Sequence, residues 1–173
     1  GWQVFKSYVI TKLSWNVRLN IEDLTEKFFK GYFGPASESM LEYWRSYRVH
    51  SQYLIDNYLA GGRSVYAPLL KVDYWPRNVL SDWLDIVDKA MEDINYLKVA
   101  DPEKYQEYYD HIAMERVFLY YATVELHASK FDAEFINKIK LECKEDCTRL
   151  GIKVSGEAGR GSNVQNIWTK WGV

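Results

Sequence analysis

Asp73-Tyr74-Trp75, followed two residues later by Arg77, sets two aromatic rings beside a carboxylate and a guanidinium in a stretch without helical period. Rings of this kind stack on the apolar faces of sugars while Asp, Asn and Arg bond the hydroxyls, so these four residues form the candidate carbohydrate site. The chain is 16% aromatic, with 7 Trp and 14 Tyr, but most of these rings recur at helical spacing and belong to a core. Tyr66, Tyr74, Trp75, Trp168 and Trp171 are the ones suited to act as surface platforms. Arg116 is the other unusual residue. It falls within the stripe of Tyr109, Ile112, Tyr120 and Thr123, so its guanidinium should enter the interior and need a carboxylate or carbonyl partner there.

Other chemistries find no support in the residue pattern. Carboxylate-bridged metal sites in helical bundles use Glu-x-x-His pairs, and the chain has none. His50, His111 and His127 follow no ligand spacing. Cys143 and Cys147 stand four apart in a helical stretch, about 6 Å between Cα atoms, which suits neither a disulfide nor a zinc site and reads as two small core hydrophobes. Asp82, Asp85, Glu92 and Asp93 lie opposite the apolar face of their helix and read as a solvated surface. The run GEAGRGS at 156–162 has glycines like a phosphate loop but lacks the following Lys-Ser/Thr and the preceding strand, so it reads as a connection. No nucleophile is spaced with a base. The expectation is therefore no catalytic residue, no metal and no cofactor in this chain.

Composition narrows the partners. With 173 residues the chain is long enough for one domain with a sizeable core, and no linker divides it. A net charge of −2, with 27% charged residues of both signs interspersed, gives no basic footprint for nucleic acid. No apolar run approaches the roughly 20 residues of a membrane span, and GWQVFKSYVITKL lacks the layout of a signal peptide. Gly1 followed at once by an apparent helix suggests a tag remnant on a piece of a longer protein.

The elements that must position these residues are helices. Trp2, Phe5, Val9 and Leu13 lie on one face of a first helix ending near Trp15-Asn16. Asn20 caps a second, with Leu24, Phe28 and Tyr32 as its stripe. Gly34-Pro35 is a corner: glycine can take the left-handed conformation that ends a helix, and proline suits the first turn of the next. Met40, Trp44, Tyr47, Leu54 and Tyr58 face inward on a long third helix that stops at Gly61-Gly62. Residues 61–76 read as an ordered loop. Leu80, Trp83, Leu84, Val87, Met91 and Ile94 make the fourth helix the most regularly amphipathic. Asp101-Pro102 launches a fifth through about Lys130, and its second half, apolar nearly all round, should be the central helix. A sixth begins near Asp132, with Phe135, Ile136, Ile139, Cys143 and Leu150 inward. The fold class expected is all-α, a single array of five to seven helices over residues 1–173 without a sheet.

One run carries a family likeness. Tyr8, Lys12, Leu13, Trp15 and Asn16 fit the form Tyr-x-x-x-Lys-Leu-x-Trp-Asn, and Phe28, Tyr32, Phe33, Gly34, Pro35 and Ala36 fit the corner that follows it. Over residues 8–44 the chain resembles the helical C-terminal part of the domain of unknown function 4838 family. Phe33 stands where a second Tyr is usual, which removes a hydroxyl and keeps the packing role. Beyond residue 44 only the general succession of helices is shared.

The resemblance implies a piece of a larger bacterial protein, exported to the periplasm or outside the cell, in which a glycoside-hydrolase-like barrel precedes a helical domain. Similar helical domains follow the barrel in alpha-glucuronidases and hexosaminidase-like enzymes. The catalytic carboxylates would belong to the barrel, so none is assigned here. Two functions lead, with a self-sufficient helical enzyme as a third reading. One is a noncatalytic accessory domain with the upstream barrel as its partner, which requires an exposed apolar patch involving the first helix. The other is a carbohydrate-binding module that takes an oligosaccharide on the 61–77 loop or the C-terminal tryptophans, which requires those rings to be exposed.

Overall fold

The computed structural model describes residues 2–59, 70–154 and 163–173, and all statements of structure concern these residues. They form an all-α array of six helices of 13 residues or more, with two shorter ones. The only β-type pairing among them is an isolated antiparallel bridge between Val154 and Asn163. Among the described residues, no helix is long and apolar enough to cross a membrane.

Helix α1 (Gln3–Trp15) leads through a short turn into α2 (Ile21–Phe33). Asn20 caps α2 through its Oδ1, which accepts from the Glu22 and Asp23 N–H groups. The corner at Gly34-Pro35 is where the sequence placed it. Gly34–Ala36 form one 3-10 turn, and α3 (Ser37–Leu54) begins at once. Gly34 has φ 53° and ψ −122°, a positive-φ state outside the left-handed helical basin expected for it. A second cause for glycine was not legible. A Cβ at position 34 would clash with the ring of Tyr108, which comes from a helix far along the chain, so the close approach of that ring also excludes a side chain.

Helix α3 runs on into a π-type turn at Ile55–Leu59. After residues 60–69, α4 (Arg77–Ile94) buries Leu80, Trp83, Leu84, Val87, Ala90 and Ile94, while Met91 is half-buried. The short α5 (Leu97–Ala100), which the periodicity did not suggest, precedes α6 (Pro102–His127). Asp101 caps α6 by accepting from the Lys104 N–H at 3.0 Å. Helix α6 packs against α2, α4, α5 and α7 (Ala133–Arg149), and it is the central helix, as its all-round apolar second half predicts. A 3-10 turn at Ala128–Lys130 ends it three residues before the expected limit. Helix α7, capped by Asp132, and α8 (Val164–Trp171), capped by Asn163, close the array.

The core is aromatic at one end and ionic at the other. Trp2 and Phe5 meet Phe28, Phe29, Phe33, Tyr43 and Trp44 at ring-centroid separations of 5.0–6.3 Å, in tilted and edge-on pairs. Aromatic pairs in such geometry add about 0.5–1.5 kcal/mol each beyond their area burial. This cluster pins α1, α2 and α3 around the corner.

Candidate functional site

The residues expected to form a sugar platform are turned inward. Lys71–Trp75 form a tight turn in which the Lys71 carbonyl accepts from the Tyr74 and Trp75 N–H groups, and Pro76 hands the chain into α4. Tyr74 is 4% and Trp75 8% exposed. The Trp75 ring lies edge-on to Phe118 at 5.0 Å and near His50 and Trp83, and Tyr74 packs on Tyr58 at 5.1 Å. Asp73 is exposed, and the Arg77 guanidinium sits over the Phe131 ring at 5.1 Å rather than beside an open aromatic face. Trp168 and Trp171 are buried against one another at 5.4 Å, and Trp171 Nε1 donates to Glu125 Oε1 at 2.7 Å. The expected set Asp73, Tyr74, Trp75 and Arg77 thus offers no coplanar exposed rings, and the C-terminal pair offers none either. The physical reason is area: these rings gain by leaving water for the seams between α3, α4 and α6 and beneath α8. Tyr66 and the 156–162 run lie outside the described residues.

The histidines supply what holds that turn. His50 Nε2 donates to the Tyr74 carbonyl at 2.7 Å and His127 Nε2 donates to the Trp75 carbonyl at 2.8 Å. A carbonyl only accepts, so both rings carry hydrogen on Nε2. Two consecutive carbonyls at the entrance of α4 are therefore clamped from α3 and α6. His111 makes the same kind of bond, from Nδ1 to the Tyr32 carbonyl at 2.6 Å, while its ring stacks on Tyr32. Sequence reasoning missed this role, because backbone carbonyls leave no residue-type signal.

Arg116 has the partner its position demands. It is 4% exposed; Nε and Nη2 donate to Asp146 Oδ2 at 3.1 and 2.6 Å, and Nη2 also donates to the Tyr109 hydroxyl at 2.9 Å. Asp146 is itself 1% exposed and accepts from Arg149 Nη2 at 2.7 Å, while Arg149 also pairs with Asp110. Burial works against the Arg116 charge, but Tyr120, Asp146 and Tyr109 more than offset it and hold the guanidinium above its ordinary pKa. Tyr120 donates to Glu142 Oε2 at 2.6 Å, and burial pushes its hydroxyl well above the usual range. Carboxylates of Asp110, Glu142 and Asp146, the guanidiniums of Arg116 and Arg149, and the phenols of Tyr109 and Tyr120 thus link α6 to α7. Cys143 and Cys147 are free and buried beside this network, in the core role the sequence assigns them. No three His, Cys, Asp or Glu side chains gather as a metal site among the described residues.

Exposed apolar side chains also stand along α1 and at its far end. Trp15 is 88% and Val17 84% exposed, with Ile10 at 65% and Ile21 at 54%. This exposure is built rather than frayed. The Lys12 carbonyl accepts from the Asn16 N–H at 3.1 Å, Asn16 Oδ1 from the Arg18 N–H at 3.0 Å, and the Asn16 carbonyl from the Leu19 N–H at 3.3 Å. Asn20 then starts α2. Two asparagine-centred turns therefore present Trp15 and Val17 to solvent on a defined backbone. At the other end of α1, both Oε atoms of Glu115 accept from the Trp2 N–H at 2.8–2.9 Å, which fixes the helix start inside the core. Of the α1 residues that fit the family pattern, Lys12, Trp15 and Asn16 are exposed and Tyr8 and Leu13 half-buried, so the pattern follows the outward edge of the helix.

Comparison with protein-family models, with curated proteins and with solved structures finds no match to this chain.

Proposed function

We propose that the chain is a noncatalytic helical accessory domain that packs against a glycoside-hydrolase-like barrel within a carbohydrate-processing protein. The observation that carries the reading is the ordered apolar end of α1, where Ile10, Trp15, Val17 and Ile21 stand uncovered. Covering one large apolar side chain is worth about 1.5–3 kcal/mol, so this face favours a neighbour over water. The identity of the neighbour rests on the likeness of residues 8–44 to the family pattern.

The test is to express the coding segment upstream of residue 1 and mix its product with this chain. A one-to-one complex by size-exclusion chromatography with mass detection is the expected result. Trp15→Ala combined with Val17→Asp should weaken it by more than about tenfold, as removal of a central aromatic anchor does. An upstream segment without a barrel, or a barrel that does not bind the chain, removes the proposal.

A further inference from the structure

A groove of about 330 Å³ opens between α4, the start of α6 and α7, directly above Arg116. Three of its lining residues are cations, Lys98, Arg116 and Lys138, and three are carboxylates, Asp88, Glu92 and Glu142, so its formal charge is zero. Asn95 adds an amide that both donates and accepts, and Tyr105 adds a ring. The groove lies at the small end of the range for small-molecule sites, about 300–1,000 Å³.

What distinguishes it from ordinary charged surface is the state of Arg116. Its Nε and Nη2 are committed to Asp146 and Tyr109. Its third nitrogen, Nη1, has only Glu142 Oε2 at 3.9 Å, beyond hydrogen-bond reach. Glu142 is half-committed in the same way. Oε2 accepts from Tyr120 at 2.6 Å, while Oε1 has only Lys138 Nζ at 3.8 Å. A guanidinium 4% exposed, locked on two nitrogens and lining a groove with donors left on the third, is a pre-positioned hydrogen-bonding group. Beside it stands a carboxylate oxygen with acceptor capacity to spare.

From this geometry we infer that the groove binds a neutral polyhydroxylated small molecule, a sugar or sugar alcohol. A hydroxyl both donates and accepts, so vicinal hydroxyls can bridge Arg116 Nη1 and Glu142, or Asn95 and a neighbouring carboxylate. An anionic ligand would meet three carboxylates and a cationic one three cations, so the balanced lining selects against net charge. The site is separate from the apolar end of α1 and does not depend on the barrel.

Two-dimensional amide NMR of the whole chain tests the inference. The neutral probes are glucose, mannose, N-acetylglucosamine and sorbitol; the charged comparators are glucuronate and inorganic phosphate. The expected result is saturable shifts with at least one neutral probe, confined to residues 88–98, 105–116 and 138–142. Asn95→Ala and Lys138→Ala, whose side chains serve no helix cap, should each weaken binding about tenfold, the scale of removing one hydrogen bond to the ligand, with the thermal melt unchanged. Trp15→Ala should leave it unchanged. Silence with every neutral probe at tens of millimolar overturns the proposal. So do binding of charged comparators alone, and shifts that persist in both groove variants.

Discussion

Helices α1 and α6 are alike in sequence and opposite in setting. Both spread apolar residues around the helix with polar ones between them, and neither has a clean polar face. Helix α6 is wrapped by α2, α4, α5 and α7, whereas α1 packs chiefly on α2 and buries only Phe5 fully within its own length. A helix apolar on all sides must be surrounded. Helix α6 finds its surroundings within the chain, and the outer half of α1 does not. The comparison teaches that the same pattern can specify an internal core or a surface left open, here the face proposed above as an interface.

Breaking the centre should have the largest effect. Arg116→Ala leaves Asp146 buried without its counter-charge, and Asp146→Ala does the reverse; each should cost about 3–5 kcal/mol. Chemical denaturation followed by circular dichroism reads this directly. Arg116→Met with Asp146→Leu should recover most of the loss, because replacing both charges by apolar groups removes the desolvation cost together with the attraction. A double variant as unstable as either single one would show that Tyr109 and Arg149, which share the network, cannot repack.

The corner between α2 and α3 tests how the aromatic end is held to the centre. Gly34→Ala must place a Cβ against the Tyr108 ring while keeping φ at 53°, and about 2–3 kcal/mol of destabilisation is expected from strain of both kinds. Adding Tyr108→Ala should return the steric share and leave the conformational share. Full recovery would mean that the positive φ costs nothing there.

Much of this was legible in the sequence, and the parts that were not share a cause. Helix positions follow from apolar spacing and from caps at Asn20, Asp101 and Asp132, which are local. The interior position of Arg116 follows from its place in a stripe of α6. Its partner Asp146 is 30 residues away, and spacing on one helix cannot choose among the carboxylates of another. The Tyr108 ring at Gly34 and the histidine clamps on the Tyr74 and Trp75 carbonyls are likewise long-range. The candidate site fared differently. Asp73, Tyr74, Trp75 and Arg77 have the composition of a surface platform, but composition does not say which way a ring turns. A tight turn at Lys71–Trp75 directs both rings into the core.

The anchor at the start of α1 makes a smaller, pH-dependent prediction. Burial pushes the Glu115 carboxyl above its ordinary value, with the Trp2 N–H pulling the other way. A raised folded-state pKa means that the folded chain holds this proton more tightly than the unfolded chain. The stability it contributes is fully present below the unfolded value of about 4.5 and is lost as pH rises through the folded one. Glu115→Gln cannot titrate, so it should flatten that part of the curve of melting temperature against pH. An unchanged slope would assign the pH dependence to other carboxyls, Asp88 among them, whose pKa burial also raises.

The smallest effect belongs to the most conspicuous side chain. Trp15 is 88% exposed and has no ring partner among the described residues, so Trp15→Ala should change the stability of this chain by no more than about 0.5 kcal/mol in either direction. Phe5→Ala, earlier on the same helix, should cost about 3–5 kcal/mol through the cavity it opens against Phe28, Phe29 and Trp44. The two substitutions therefore separate the half of α1 that holds this fold together from the half that does not. A large loss from Trp15→Ala in the chain alone would mean that the outer half of α1 folds back in solution and covers itself. A negligible loss leaves a tryptophan held on an ordered turn with no role in the stability of its own domain, as the proposed interface requires.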